Sequence, residues 1–88
     1  MLGGYGEEKQ PDTKIQELLN KHKSDIQSKL GIHFDNANVI SYQTQVVAGT
    51  NYKIKAKTDQ GNEFSVVIYE KLPHAGGETS VSEVQLQK

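Results

Sequence analysis

Cysteine is absent from this 88-residue chain, and so is tryptophan. Without a thiol there is no disulfide staple, no thiolate nucleophile and no cysteine metal site. A small domain of this kind must rely on packing alone, and the missing cysteine fits a reducing compartment. Long apolar runs are missing too. No stretch approaches the ~18 residues of a membrane-spanning helix, and the opening Met1-Leu2-Gly3-Gly4 lacks the apolar core of a secretory leader. These absences lead to an expected cytoplasmic location, with release that bypasses a leader as the alternative. An excess of charge of either sign is also lacking. Ten basic and eleven acidic residues leave a formal net charge of −1. Their interspersion gives no strong attraction for a phosphate backbone and no basic helix for a membrane surface.

What is present fits one domain, residues 1–88. A domain this small buries only a little over ~60% of the surface its unfolded chain exposes, so its apolar residues must share one core. Residues 1–11 form a polar, Gly-rich arm ending at Pro11, free of periodicity and mobile until something holds it. Residues 12–88 form the folded body.

The spacing of Ile15, Leu18, Leu19, Ile26 and Leu30, with His22 filling the gap in the stripe, predicts one amphipathic helix over residues 13–30. Asp12 or Thr13 can cap its start and Gly31 can end it. Strands are predicted at 38–48, 50–57, 63–70 and 80–87. In the first, Ile40, Tyr42, Thr44 and Val46 are assigned to one face. In the second, Tyr52, Ile54 and Ala56 oppose Lys53, Lys55 and Lys57. Asp59-Gln60-Gly61-Asn62 is a turn, and Pro73 stops the third strand. One helix and four strands joined by short turns imply an α+β fold, with the helix lying across a curved antiparallel meander.

Catalytic chemistry finds little footing. His22, His33 and His74 have no metal-ligand spacing and sit in no nucleophile-elbow context. Glu7-Glu8 lies on an arm that cannot hold two carboxylates at a defined distance. No cofactor or metal is expected.

Three features ask for something beyond folding. Val46, Val47 and Ala48 run into the turn at Gly49, where hairpin tips usually carry Asn, Asp, Gly or Ser. They either meet a partner or extend a strand with one valine facing the core. Leu72-Pro73-His74 places a leucine and a rigid proline in a later loop, as a strand stop or as a second contact. Leu2 sits before Gly3-Gly4 on the arm. In a four-stranded meander the first and third turns lie at the same end of the sheet. An arm running past that end would complete an apolar wedge suited to a cleft.

Gln45-Val46-Val47-Ala48-Gly49, continued by Thr50-Asn51-Tyr52, resembles the signature of the cystatin family, in particular its stefin branch. Ile15-Gln16-Glu17 and Leu72-Pro73 are similar to stefin sequences too, and the resemblance covers roughly residues 1–87. It implies a cystatin-like fold, one helix across a curved antiparallel sheet of four to five strands. It also implies reversible, competitive inhibition of papain-like cysteine proteases of the cathepsin type, and no enzyme activity. By position, Leu2, Gly3 and Gly4 would enter the non-primed side of the protease cleft. Gln45, Val46, Val47, Ala48, Gly49 and Asn51 would form and flank the central wedge. Leu72, Pro73 and His74 would rest on the primed side. The resemblance further implies a monomer able to exchange strands by opening residues 46–51 into an inactive dimer.

The chain departs from the stefin pattern at Tyr5-Gly6 and in stopping at Lys88. The alternative reading is a cystatin-fold binding module that does not inhibit. Gly49→Arg is expected to separate the two by abolishing protease binding with the fold intact.

Overall fold

The computed structural model describes residues 4–87. Four strands, β1 (Ala37–Val47), β2 (Gly49–Thr58), β3 (Glu63–Glu70) and β4 (Thr79–Gln87), form an antiparallel sheet in the order β1-β2-β3-β4. Two helices, α1 (Thr13–Lys21) and α2 (Lys23–Leu30), pack against it, giving the α+β architecture expected of the sequence.

The strands form where side chains alternate. Tyr52, Ile54 and Ala56 are buried while Lys53, Lys55 and Lys57 face solvent. Phe64, Val66 and Ile68 continue the buried face on β3. The Phe34 ring, from the segment between α2 and β1, stacks on Phe64 at 5.8 Å to complete the core. At the far turn Gly61 takes φ 88°, and the Thr58 hydroxyl accepts from the N–H groups of Gln60 and Asn62.

Ile40 does not share a face with Tyr42. The register steps from Val39 opposite Ala56 to Ser41 opposite Lys55, so Ile40 is an extra residue in β1. This bulge turns Val39 and Ala37 into the core and leaves Ile40 exposed. A one-residue insertion swaps every side chain upstream of it to the other face.

The single helix expected over 13–30 is divided at His22, whose backbone sits at φ −103°, ψ 15°. α1 packs on β1 and α2 on β4, at opposite edges of the sheet. A break lets the helical segment follow a twisted surface that a straight cylinder would leave. The His22 ring pins the break to the start of β4, with Nε2 2.8 Å from the Thr79 hydroxyl. Burial holds this imidazole below its usual pKa, with Lys21 acting in the same direction and Asp25 against it. Both ends of the helical segment behave as expected. Asp12 caps α1 by accepting from the Ile15 N–H at 2.9 Å, and Gly31 closes α2 at φ 72°.

The free edge of β1 is covered in two places. The Gln16 side chain donates to the Ala37 carbonyl (2.9 Å) and accepts from the Val39 N–H (3.0 Å), standing in for a neighbouring strand. Further along, the arm is held after all: Lys9 exchanges both backbone bonds with Tyr42, at 2.8 and 3.1 Å. Unpaired edges invite other chains, and these contacts blunt this one.

Candidate functional site

The cross-sheet register runs from Val46 to Thr50 to Glu70 to Thr79, so the β1–β2 tip and the β3–β4 loop leave the sheet from the same row. With strands ~4.8 Å apart, the two turns are separated by two strand spacings, about 10 Å. The arm runs antiparallel to β1 and approaches the same end as its residue numbers fall, since the Gly6 N–H donates to the Thr44 carbonyl at 2.9 Å. The three segments therefore converge. Leu2 and Gly3 lie outside the described residues; Gly4 is exposed.

The exposure of the tip has a structural origin. The start of α1 is fastened level with Tyr42 and Tyr52: the Tyr42 hydroxyl donates to Asp12 Oδ2 (2.7 Å), and Lys14 Nζ donates to the Tyr52 hydroxyl (3.1 Å). Strand residues beyond that level have no helix above them. From Thr44, which pairs with the buried Tyr52, to Val47 the hairpin overhangs by about 10 Å at ~3.3–3.4 Å per residue. Neither valine reaches the core: Val46 is 74% exposed and Val47 40%. Of the two sequence alternatives, a strand with one valine turned inward is not what forms.

Three contacts stiffen this overhang. Asn51 Nδ2 donates to Gln45 Oε1 across the hairpin at 2.9 Å. The Tyr69 hydroxyl donates to the Ala48 carbonyl at the tip. Gly49 takes φ 121°, and a Cβ there would lie 2.4 Å from the Glu70 carbonyl oxygen and 2.8 Å from the Tyr69 hydroxyl. The tip therefore sits against β3 so closely that only glycine fits. This corrects the expectation for Gly49→Arg, because any side chain at Gly49 displaces the hairpin itself.

Tyr69 is a neighbour of the candidate site that the sequence pattern does not reveal. It pairs with Asn51 in the register and reads as an ordinary strand residue; only the tertiary pairing aims its hydroxyl at Ala48. The Lys14–Tyr52–Glu70 chain is likewise not legible in residue order. Tyr52 donates to Glu70 Oε1 at 3.0 Å, and Lys14 lies 4.0 Å from the same oxygen. The Tyr52 hydroxyl, followed by Glu70, raises the Lys14 pKa, while the bonds from the Ile15 N–H and Tyr42 lower that of Asp12.

The second loop is built by its own backbone. Pro73–Ala75 forms one 3-10 turn, and the N–H groups of Ala75 and Gly77 both donate to the Leu72 carbonyl. Lys71 and Glu78 clasp its base through a 3.2 Å ion pair. Leu72, Pro73 and His74 are exposed at its crest. Among the described residues no group of three histidine or acidic side chains could hold a metal ion. The site offers shape and apolar surface.

The chain is also similar to known proteins. The chain matches the cystatin domain over residues 3–88. It is 47% identical to Cystatin-A2 of Dictyostelium discoideum over 60 residues, which cover 68% of this chain and 63% of that relative, less than two thirds of its length. It is 35% identical over 74 residues to Leukocyte cysteine proteinase inhibitor 1 of Sus scrofa, covering 84% of this chain and 72% of the relative. It is 33% identical over 88 residues to Cystatin-B of Oplegnathus fasciatus, covering 100% and 88%.

Proposed function

Because the chain belongs to the cystatin family, on its stefin branch, a family of cysteine-protease inhibitors and not of enzymes, we propose that it is a reversible, competitive inhibitor of papain-like cysteine proteases of the cathepsin type. The observation that carries the reading is the convergence of arm, tip and second loop on one end of the sheet, with both valines uncovered.

In this reading Val46, Val47, Ala48 and Gly49 fill the centre of the protease cleft, with Gln45 and Asn51 bracing them. Leu2, Gly3 and Gly4 occupy the non-primed side, and Leu72, Pro73 and His74 the primed side. Nothing in the free chain demands glycine at position 4, since a Cβ there would meet open space. A role for Gly4 then belongs to the protease surface, where the backbone must pass close to the catalytic thiolate. The hairpin blocks the cleft while presenting no carbonyl in attack geometry, about 3–3.5 Å from the nucleophile, so no covalent step is needed. A contact of roughly 1,600 Å² is the scale such a complex takes. The preformed hairpin loses little entropy on binding and supplies base affinity, while Leu2 tunes it between proteases. The setting proposed is the cytoplasm, which the absence of cysteine supports. Among the described residues no helix is long and apolar enough to cross a membrane.

The test is steady-state inhibition of active papain at several substrate concentrations. Inhibition that substrate relieves and dilution reverses supports the reading. No inhibition at micromolar folded protein would leave a binding module that does not inhibit.

A further inference from the structure

The arm makes side-chain contacts that the wedge does not use. Lys9 stands opposite Tyr42, so in an unbroken antiparallel ladder Glu7 would stand opposite Thr44. Instead Gly6 donates to the Thr44 carbonyl. One extra arm residue lies between the two bonded positions, a bulge. Without it Glu8 and Gly6 would share the outer face; with it Glu8 and Tyr5 do. Both reach across β1 to lysines on β2. Lys55 Nζ lies 3.8 Å from Glu8, and Lys53 Nζ lies 5.7 Å from the centre of the Tyr5 ring. Gln43 closes the arrangement by donating to the Gly6 carbonyl at 3.0 Å. Burial, and then Glu83 on β4, pushes the Tyr5 phenol above its usual pKa, in keeping with a ring laid on the sheet.

We propose that Tyr5 on Lys53, with Glu8 on Lys55, is a strap that docks the arm on the sheet before any protease arrives, so that Gly4 leaves the sheet beside the hairpin tip. The strap's effect on inhibition rests on the proposed function. Tyr5 is thus a positioning residue. A free arm loses conformational freedom when a protease binds; a docked arm has already lost it. Loss of one exposed cation–π contact should weaken inhibition by about two- to fivefold.

The experiment pairs amide hydrogen exchange of the free chain with inhibition constants for papain, in wild type, Tyr5→Ala, Tyr5→Phe, Leu2→Ala and the Tyr5→Ala/Leu2→Ala double variant. Tyr5→Ala should lose protection at the Gly6 and Lys9 amides while β2 amides stay protected, and Tyr5→Phe should retain it. Tyr5→Ala should weaken inhibition in the full chain, and the loss should shrink in the Leu2→Ala background, because Tyr5 acts by placing what precedes it. Unchanged exchange at Gly6 and Lys9 in Tyr5→Ala overturns the strap. An equal loss of inhibition in both backgrounds overturns its positioning role. If wild type inhibits nothing, the proposed function fails together with that role, and exchange alone still decides the docking.

Discussion

Gly49→Ala should damage both stability and inhibition, for a reason that is local and calculable. Its φ of 121° is backbone that side chains rarely adopt, and the added Cβ would stand 2.4 Å from the Glu70 carbonyl oxygen and 2.9 Å from Tyr69 Cε1. Remaining in place carries strain of about 1–3 kcal/mol for the backbone alone. The Glu70 carbonyl belongs to a paired strand and cannot swing aside. The hairpin can escape by lifting from β3, at the loss of the Tyr69–Ala48 bond and the last ladder pair, each about 0.5–1.5 kcal/mol. Escape, at about 1–3 kcal/mol for the two lost interactions, is the cheaper route because staying adds the steric clash to the backbone strain, and escape also moves the wedge. Urea denaturation should show that loss. The inhibition constant should rise by more than the stability change implies, because the tip is displaced in the folded molecules as well. Two glycines serve as controls. Gly4→Ala meets open space and should leave stability unchanged. Gly76→Ala, at φ 112°, meets only the movable Glu78 side chain at 3.4 Å and should show backbone strain without loss at the tip. A Gly49→Ala protein that unfolds and inhibits like wild type would refute the steric argument.

Other consequences follow from single contacts. Gln16→Ala removes the two bonds to the Ala37 and Val39 backbone and should lower stability by about 1–3 kcal/mol in urea denaturation; a loss under ~0.3 kcal/mol would show that water replaces the side chain freely. Tyr69→Phe should change global stability by less than about 1 kcal/mol yet weaken inhibition, since the bond it removes orders only the exposed tip. His22 has a depressed folded pKa, so its contribution to stability is present above about pH 6.5 and is lost as pH falls through the folded value. Thermal midpoints should therefore fall between pH 7 and about pH 5 in wild type and fall less in His22→Gln; parallel pH profiles would contradict this assignment.

Much of the fold is legible in residue order because its periods are clean. Lys53, Lys55 and Lys57 against Tyr52, Ile54 and Ala56 specify a half-buried strand with no need of tertiary information. Asp12 and Gly31 mark the ends of the helical segment through chemistry that acts within a few residues. Ile40 falls on the wrong face in a simple alternation because periodicity cannot register one inserted residue; Val39 and Tyr42 share a face only through the bulge. The break at His22 was hidden because both halves keep their apolar stripe, and the bend answers to a sheet assembled later in the chain. The candidate site divides in the same way. Its tip and second loop are apolar where turns are usually polar, and sequence displays that directly. The braces at Tyr69 and Glu70, the Gln16 edge contact and the docked arm depend on which strands become neighbours, and a linear pattern does not carry that.

The most direct test of the central claim, that the wedge end of the sheet is the inhibitory surface, is a titration of active papain with wild type and Val46→Asp side by side. Val46 is 74% exposed, so the substitution leaves the core alone and places a charge at the centre of the proposed contact. The account predicts stoichiometric, reversible inhibition by wild type and a loss of more than about thirtyfold in Val46→Asp, the scale of a central interface residue, with an unchanged melting temperature. Equal inhibition by the two proteins would contradict it.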